Sequence, residues 1–183
     1  PGVDLIEQVM IPYKTMPSWG IPSREDYTCK FASSVAHLLR KPGVFTETFA
    51  LAQKATLREV LGVAAWQFAG GITHMSTYTI QDHLSPEEYA TFADYAGRLA
   101  FFCRRGTPVA DVAILIPERS VWAAYNPPDG GRVQRYFDRN PEALQIDEVF
   151  RLTSQELLRN QLDFEFLTEE VLQSAPVEQG RLA

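Results

Sequence analysis

The chain has little of what several functional classes require. It holds two cysteines, Cys29 and Cys103, too few and too far apart for a disulfide framework or a zinc motif. Each falls within a helical pattern, where a buried thiol is the expectation. Three histidines without ligand spacing give no reason to expect a metal site. Seventeen Lys and Arg stand against 23 Asp and Glu, a net charge of −6 with no basic block. Nucleic acid is therefore not an expected partner, because its phosphates call for clustered cations. No apolar run approaches the roughly 18 residues of a membrane span, and no signal peptide is legible, so no membrane partner is expected either. The loop "PPDGGRV" (127–133) lacks the G-x-G-x-x-G spacing that cradles phosphate, and Ser33-Ser34 lacks the context of a nucleophile elbow. No cofactor is implied.

What is present is a globular composition, 45% hydrophobic and 22% charged, enough to bury a sizeable core. The chain begins "PGVDLIEQVM", without an initiator Met, and enters a strand-like run almost at once; it reads as a piece of a longer or processed protein, and its compartment is unreadable. Five strand-like segments are legible at 3–11, 44–50, 72–80, 109–117 and 162–167. The fourth, "VADVAILIP", is nearly uncharged, which predicts cover on both faces.

Helical patterns lie between and after these strands. Tyr27, Phe31, Val35, Leu38 and Leu39 recur at helical spacing, with Ser23 as N-cap and Pro42-Gly43 as stop. Thr56 to Glu59 and Ser85 to Glu88 have the spacing of capping boxes, the second with Pro86 at the first helical position. Behind the first come Leu57, Val60, Leu61, Ala64, Ala65 and Phe68, ended by Gly70-Gly71. Behind the second come Tyr89, Phe92, Ala93, Ala96, Ala100 and Cys103, closed by Gly106. A polar loop spans about 125–141, a helix carries Leu144 to Leu158, a short one starts at Thr168, and the tail "SAPVEQGRLA" looks frayed. Strands alternating with helices predict parallel pairing and an α/β architecture. The boundary candidate is 104–108, dividing three β-α units (1–106) from two (107–183).

Ligands of parallel α/β folds bind outside the carboxyl ends of the strands. In "GVFTETFA" (43–50), Glu47 is a lone carboxylate late in an otherwise uncharged strand, a position that can face such a mouth. A solvent-facing or salt-bridged Glu is the plain alternative. Glu7 and Gln8 end the first strand and His74 lies in the third. If the strands are neighbours these side chains converge on one rim, with Trp19, Phe49 and Tyr78 near. Carboxylates among aromatics suit a sugar, which offers hydroxyls to bond and C–H faces to stack on. His37 reads as a helix-surface or supporting residue. Asp82 and His83 follow the third strand, where loop polarity explains them as well as ligand contact does.

Three stretches carry a family resemblance: "KFASSVAHLLRKPGVFTETFA", "TLREVLGVAAWQFAGGITHMSTYTI" and "EEYATFADYAGRLAFFCRRGTPVADVAILIPERSVWAAYNP". Together they resemble the latter part of the catalytic barrel in large bacterial glycoside hydrolases of the α-L-rhamnosidase-like group. The elements that match are Thr46-Glu47-Thr48-Phe49, Gly71-Ile72-Thr73-His74, and Arg98-Leu99-Ala100 through Pro117. The resemblance implies that 1–106 is the C-terminal part of a (β/α)8 barrel, strands six to eight, and that 107–183 opens a flavodoxin-like, open-sheet α/β segment. It implies Glu47 as catalytic base or nucleophile, with His74 and Asp4 or Gln8 as supporting residues. Glu7, Gln8, His74, Tyr78 and Trp19 are then the candidate substrate contacts. The loop "QDHLSPEEY" is shorter than the group's usual one. Glycoside hydrolysis needs a second carboxylate, which the resemblance places on an earlier strand that this chain does not contain. A homo-oligomer, or association with the missing barrel half, is expected from the open sheet edge. The alternative is a non-catalytic α/β domain that binds sugars or mediates oligomerisation, with five parallel strands in one doubly wound sheet.

Overall fold

The computed structural model describes residues 5–10, 28–49, 55–77, 80–125, 140–178 and 181–182, of which 5–10, 28, 81 and 181–182 are described by their backbone alone. The fold is mixed α/β and falls into two compact units, one up to Val109 and one from Ala110 onward.

In the first unit, β1 (Leu5–Met10), β2 (Gly43–Thr48) and β3 (His74–Thr77) form one parallel sheet with β2 in the middle. Helices α1 (Thr28–Leu38), α2 (Leu57–Ala69) and α3 (Pro86–Cys103) belong to the same unit. Both expected capping boxes form. Thr56 Oγ1 accepts from Glu59 N–H while the Glu59 carboxylate accepts from Thr56 N–H at 2.8 Å, and Ser85 and Glu88 repeat the arrangement at 3.2 and 2.9 Å. Each helix start thus satisfies backbone donors that would otherwise be orphaned.

The buried face of α1 is not the stripe of large residues expected from spacing. Val35, Leu38 and Leu39 are exposed, while Cys29, Ala32, Ser33, Ser34 and Ala36 are buried. The reason is closeness. A Cβ on Gly70 would lie 2.6 Å from Cys29 Cβ, and one on Gly71 would lie 2.6 Å from Ser33 Cβ. At that separation small side chains alone fit between α1 and the turn after α2, and Gly71 is also left-handed, φ +95°. Cys29, Ala32, Ala36, Val44 and Ile72 form the resulting core, with Trp66 packed against it. The stop of α1 differs too. Arg40, at φ 51°, ends the helix, and Lys41 N–H donates to Ala36 C=O at 2.8 Å. Gly43 is instead the first residue of β2. The expected cap Ser23 lies outside the described residues.

A second core joins Phe49, Val60, Ala64, Ile80, Leu84 and Phe92, and draws in Met75 from β3. Val44, Thr46 and Thr48 of β2 are buried toward the helices. Phe45 and Glu47, of opposite parity, are half-buried on the other side, where no described helix packs.

The second unit pairs β4 (Val112–Leu115) with β5 (Phe164–Leu167), also in parallel. Helix α4 (Glu118–Ala124) packs on α5 (Pro141–Arg159), and α6 (Glu169–Ser174) follows the Thr168 cap. Phe150 of α5 stacks on Phe166 at 5.0 Å between centroids. The expectation that the fourth strand is covered on both faces fails: Ala113 and Leu115 are exposed, because the described helices cover one face of this sheet. The tail expected to fray instead pairs β6 (Val177–Glu178) with β7 (Arg181–Leu182), antiparallel. The five parallel strands therefore divide three and two between two sheets, not the single sheet of the alternative architecture.

Candidate functional site

The register of the first sheet sorts the candidate residues into rows. Glu7 pairs with Phe45 and Phe45 with His74. Gln8 pairs with Thr46 and Thr46 with Met75. Val9 pairs with Glu47 and Glu47 with Ser76. Rows alternate between faces, because successive residues of a strand point to opposite sides. Thr46 and Met75 face the helices, so position 8 belongs to the helix-side row. Positions 7, 45 and 74 and positions 9, 47 and 76 belong to the other side. Glu7, Glu47 and His74 thus share a parity and Gln8 does not. His74 also opens β3 rather than ending it. It lies two rows before Glu47, about 7 Å along the strand direction, so the lateral neighbour of Glu47 at the carboxyl end is Ser76. Trp19, Tyr78 and Asp4 lie outside the described residues, and the side chains of Glu7 and Gln8 are not described.

Glu47 is half-buried, and no hydrogen bond or ion pair reaches its carboxylate from a described residue. The strand that carries it is anchored from behind. Gln67, fully buried in α2, accepts from the Thr46 hydroxyl at 3.0 Å and from the Thr48 hydroxyl at 2.9 Å, the two residues flanking Glu47. The Gln67 Nε2 is buried without a hydrogen-bond partner among the described residues, a cost accepted in a densely packed interface. Immediately beyond β2, Phe49 adopts φ 65°, the left-handed region that a bulky residue enters only under constraint. Its ring is 2% exposed and meets Phe92 edge-on at 6.3 Å. Burial of that ring against α3 is what holds the backbone there.

At the other end of the sheet, Thr73 Oγ1 accepts from Val44 N–H at 2.8 Å and lies 3.1 Å from Val44 C=O and 2.8 Å from His74 Nδ1. Burial, and then the Arg104 guanidinium, hold the His74 imidazolium pKa below the usual histidine value. His83 has a fixed task as well: its Nδ1 accepts from Ala55 N–H at 3.3 Å, tying the loop after β3 to the start of α2. Asp82 is exposed, and His37 sits in the last turn of α1. Neither cysteine is in a disulfide. Burial pushes the Cys103 thiol pKa up, which favours the protonated and unreactive form. Among the described residues no three His, Cys, Asp or Glu side chains gather to hold a cation, and no helix is long and apolar enough to cross a membrane.

Gln67 and Ser76 are neighbours of Glu47 that sequence reading does not single out, whereas Phe49 is expected near it from the sequence. A signal existed for the first. Thr46 and Thr48 share one parity of a strand whose helix-side neighbours are otherwise apolar, and Gln67 interrupts the apolar stripe of α2. Three polar side chains in apolar positions are most economically satisfied by one another. A left-handed Phe has no comparable sequence signal.

Compared with protein-family models, with curated proteins and with solved structures, the chain matches none. The geometry around β2 is therefore the ground on which a function must stand. A half-exposed carboxylate on a rigidly backed strand end can accept hydrogen bonds from ligand hydroxyls, take a proton, or attack an electrophilic carbon.

Proposed function

We propose that this chain is part of a glycoside hydrolase in which Glu47 is one of the two carboxylates that cleave the glycosidic bond. The observation that carries the reading is the placement of Glu47. It lies next to the last residue of the central strand of a parallel sheet, on the side away from the helices, with the flanking Thr46 and Thr48 clamped to Gln67. A parallel sheet whose described helices all pack on one side suits a segment of a (β/α)8 barrel, whose interior is lined by residues of one parity. On this reading β1, β2 and β3 are barrel strands six to eight, and the second unit opens a flavodoxin-like domain. The left-handed Phe49 beside the carboxylate fits as well, since strained backbone gathers at sites that must hold a fixed geometry.

In such a site Glu47 would deprotonate a water or attack the anomeric carbon, and a second carboxylate would protonate the leaving oxygen. The family resemblance places that partner on an earlier strand. Hydroxyl-rich ligands would find Ser76 beside Glu47 and aromatic surface at Phe45. The sugar and the linkage are matters for assay.

The test is a panel of aryl glycosides given to the full-length gene product and to its Glu47→Gln variant. Loss of at least about 10²-fold in kcat with KM little changed is the expected outcome. A variant that turns over every substrate at the parent rate removes Glu47 from the chemistry.

A further inference from the structure

Helix α3 has an outward side that folding of the unit does not use. Helical spacing sets Glu87, Ala90, Asp94, Gly97, Phe101 and Arg105 in one stripe, roughly opposite the buried Phe92, and all six are exposed. Phe101 is 56% exposed and the adjoining Phe102 78% exposed. The Arg105 guanidinium carbon stands 4.1 Å from the Phe101 ring centroid, an aromatic and a cation presented together to solvent. The middle of the stripe is open: a Cβ on Gly97 would meet no heavy atom within 4 Å. Adjacent exposed phenylalanines are hydrophobic area that association would remove from water.

Charge is sorted along the same stripe. Glu87 and Asp94 lie in the N-terminal half, and Arg98, Arg104 and Arg105 in or just past the C-terminal half. At the centre Asp94 and Arg98 neutralise one another at 2.5 Å, which leaves Glu87 and the two terminal arginines as the ends of opposite sign. A partner of a single charge would be attracted at one end of this stripe and repelled at the other. A second copy running antiparallel meets acid with base at both ends, whereas a parallel copy sets like against like. The surface is self-complementary, as an interface about a two-fold axis must be.

We propose that α3 is the contact between two copies of this chain, packed antiparallel about an axis near residues 95 and 96. Phe101 of each copy lies over Ala90 of the other, and Glu87 of each meets Arg104 and Arg105 of the other. The two Asp94–Arg98 pairs lie at the middle of the contact. This interface stands whether or not Glu47 is catalytic.

Sedimentation equilibrium on the chain decides it. The wild type should show a monomer–dimer equilibrium that weakens with salt, and Phe101→Glu should be monomeric with an unchanged circular dichroism spectrum. Glu87→Lys and the paired Arg104→Glu/Arg105→Glu variant should each raise the dimer Kd by about tenfold or more, because each places like charges face to face at both ends. The triple variant Glu87→Lys/Arg104→Glu/Arg105→Glu should bring Kd back to near the wild-type value, since acid and base are then exchanged together. A wild-type monomer at every concentration overturns the proposal. So does a dimer that survives Phe101→Glu, or a triple variant no tighter than Glu87→Lys and Arg104→Glu/Arg105→Glu.

Discussion

The hydroxyl of Thr73 occupies the space that a side chain on Gly43 would need, and the ring of His74 borders it. A Cβ there would lie 3.1 Å from both Cε1 and Nδ1 of the imidazole and 2.4 Å from Thr73 Oγ1, the atom that receives the Val44 amide. The first residue of β2 is thus a glycine because the Thr73 hydroxyl fills the place of its side chain and the His74 ring crowds it from behind.

Gly43→Ala should destabilise the chain by about 1–3 kcal/mol, the usual cost of forcing atoms into a filled space. Gly62→Ala provides the opposite sign. It lies in α2 with nothing within 4 Å of a new Cβ, so it should stabilise by about 0.5–1 kcal/mol through helix propensity. Urea midpoints of the two variants, one shifted down and one up, check both.

Gln67→Leu should cost about 1–3 kcal/mol, because the buried Thr46 and Thr48 hydroxyls are then left with only one another, at 3.2 Å. Adding Thr46→Val and Thr48→Val removes those hydroxyls with little change of shape, so the triple variant should recover most of the loss. A triple variant less stable than Gln67→Leu alone would mean that the two threonines are satisfied by something other than the amide.

The contribution of His74 to stability should depend on pH with a definite sign. Burial, then Arg104, lower its folded pKa, so the unfolded chain binds the proton more readily than the folded one. The contribution is therefore present above the unfolded pKa of about 6.5 and is lost as pH falls through it toward the folded value. In paired urea titrations the stability gap between wild type and His74→Gln should narrow as pH drops below that point. A gap that widens in acid would show that the imidazolium is favoured in the fold.

Glu47→Gln should fold as stably as the wild type or slightly more so. No described residue pairs with the carboxylate, so neutralising it breaks no contact among the described residues. A fall of several degrees in Tm would instead place Glu47 among the structural groups, and its catalytic reading would lose its main support.

The order of strands and helices was legible because each rests on local signals. The capping boxes at Thr56 and Ser85 fixed two helix starts, and β-branched runs between glycines marked the strands. The face of α1 was not legible. Hydropathy favours Val35, Leu38 and Leu39 for burial, but the distance between α1 and Gly70-Gly71 admits Cys29 and Ser33, and that distance is a tertiary property. Part of the site escaped for a similar reason. Reading Glu47 as late in its strand needed nothing beyond the strand itself. Grouping it with His74 and Gln8 needed the register, which moves His74 to the start of β3 and Gln8 to the opposite parity.

The amide of Gln67 also protects the sheet against mispairing. If β2 slid by one residue, Glu47 would take the place of a threonine in front of that amide, burying an ion where a neutral hydroxyl belongs. The same slip would move the residue without a side chain out from under the imidazole and bring Val44 into its place. Two unrelated penalties, one electrostatic and one steric, would thus fall on the same wrong alignment, at opposite ends of one six-residue strand.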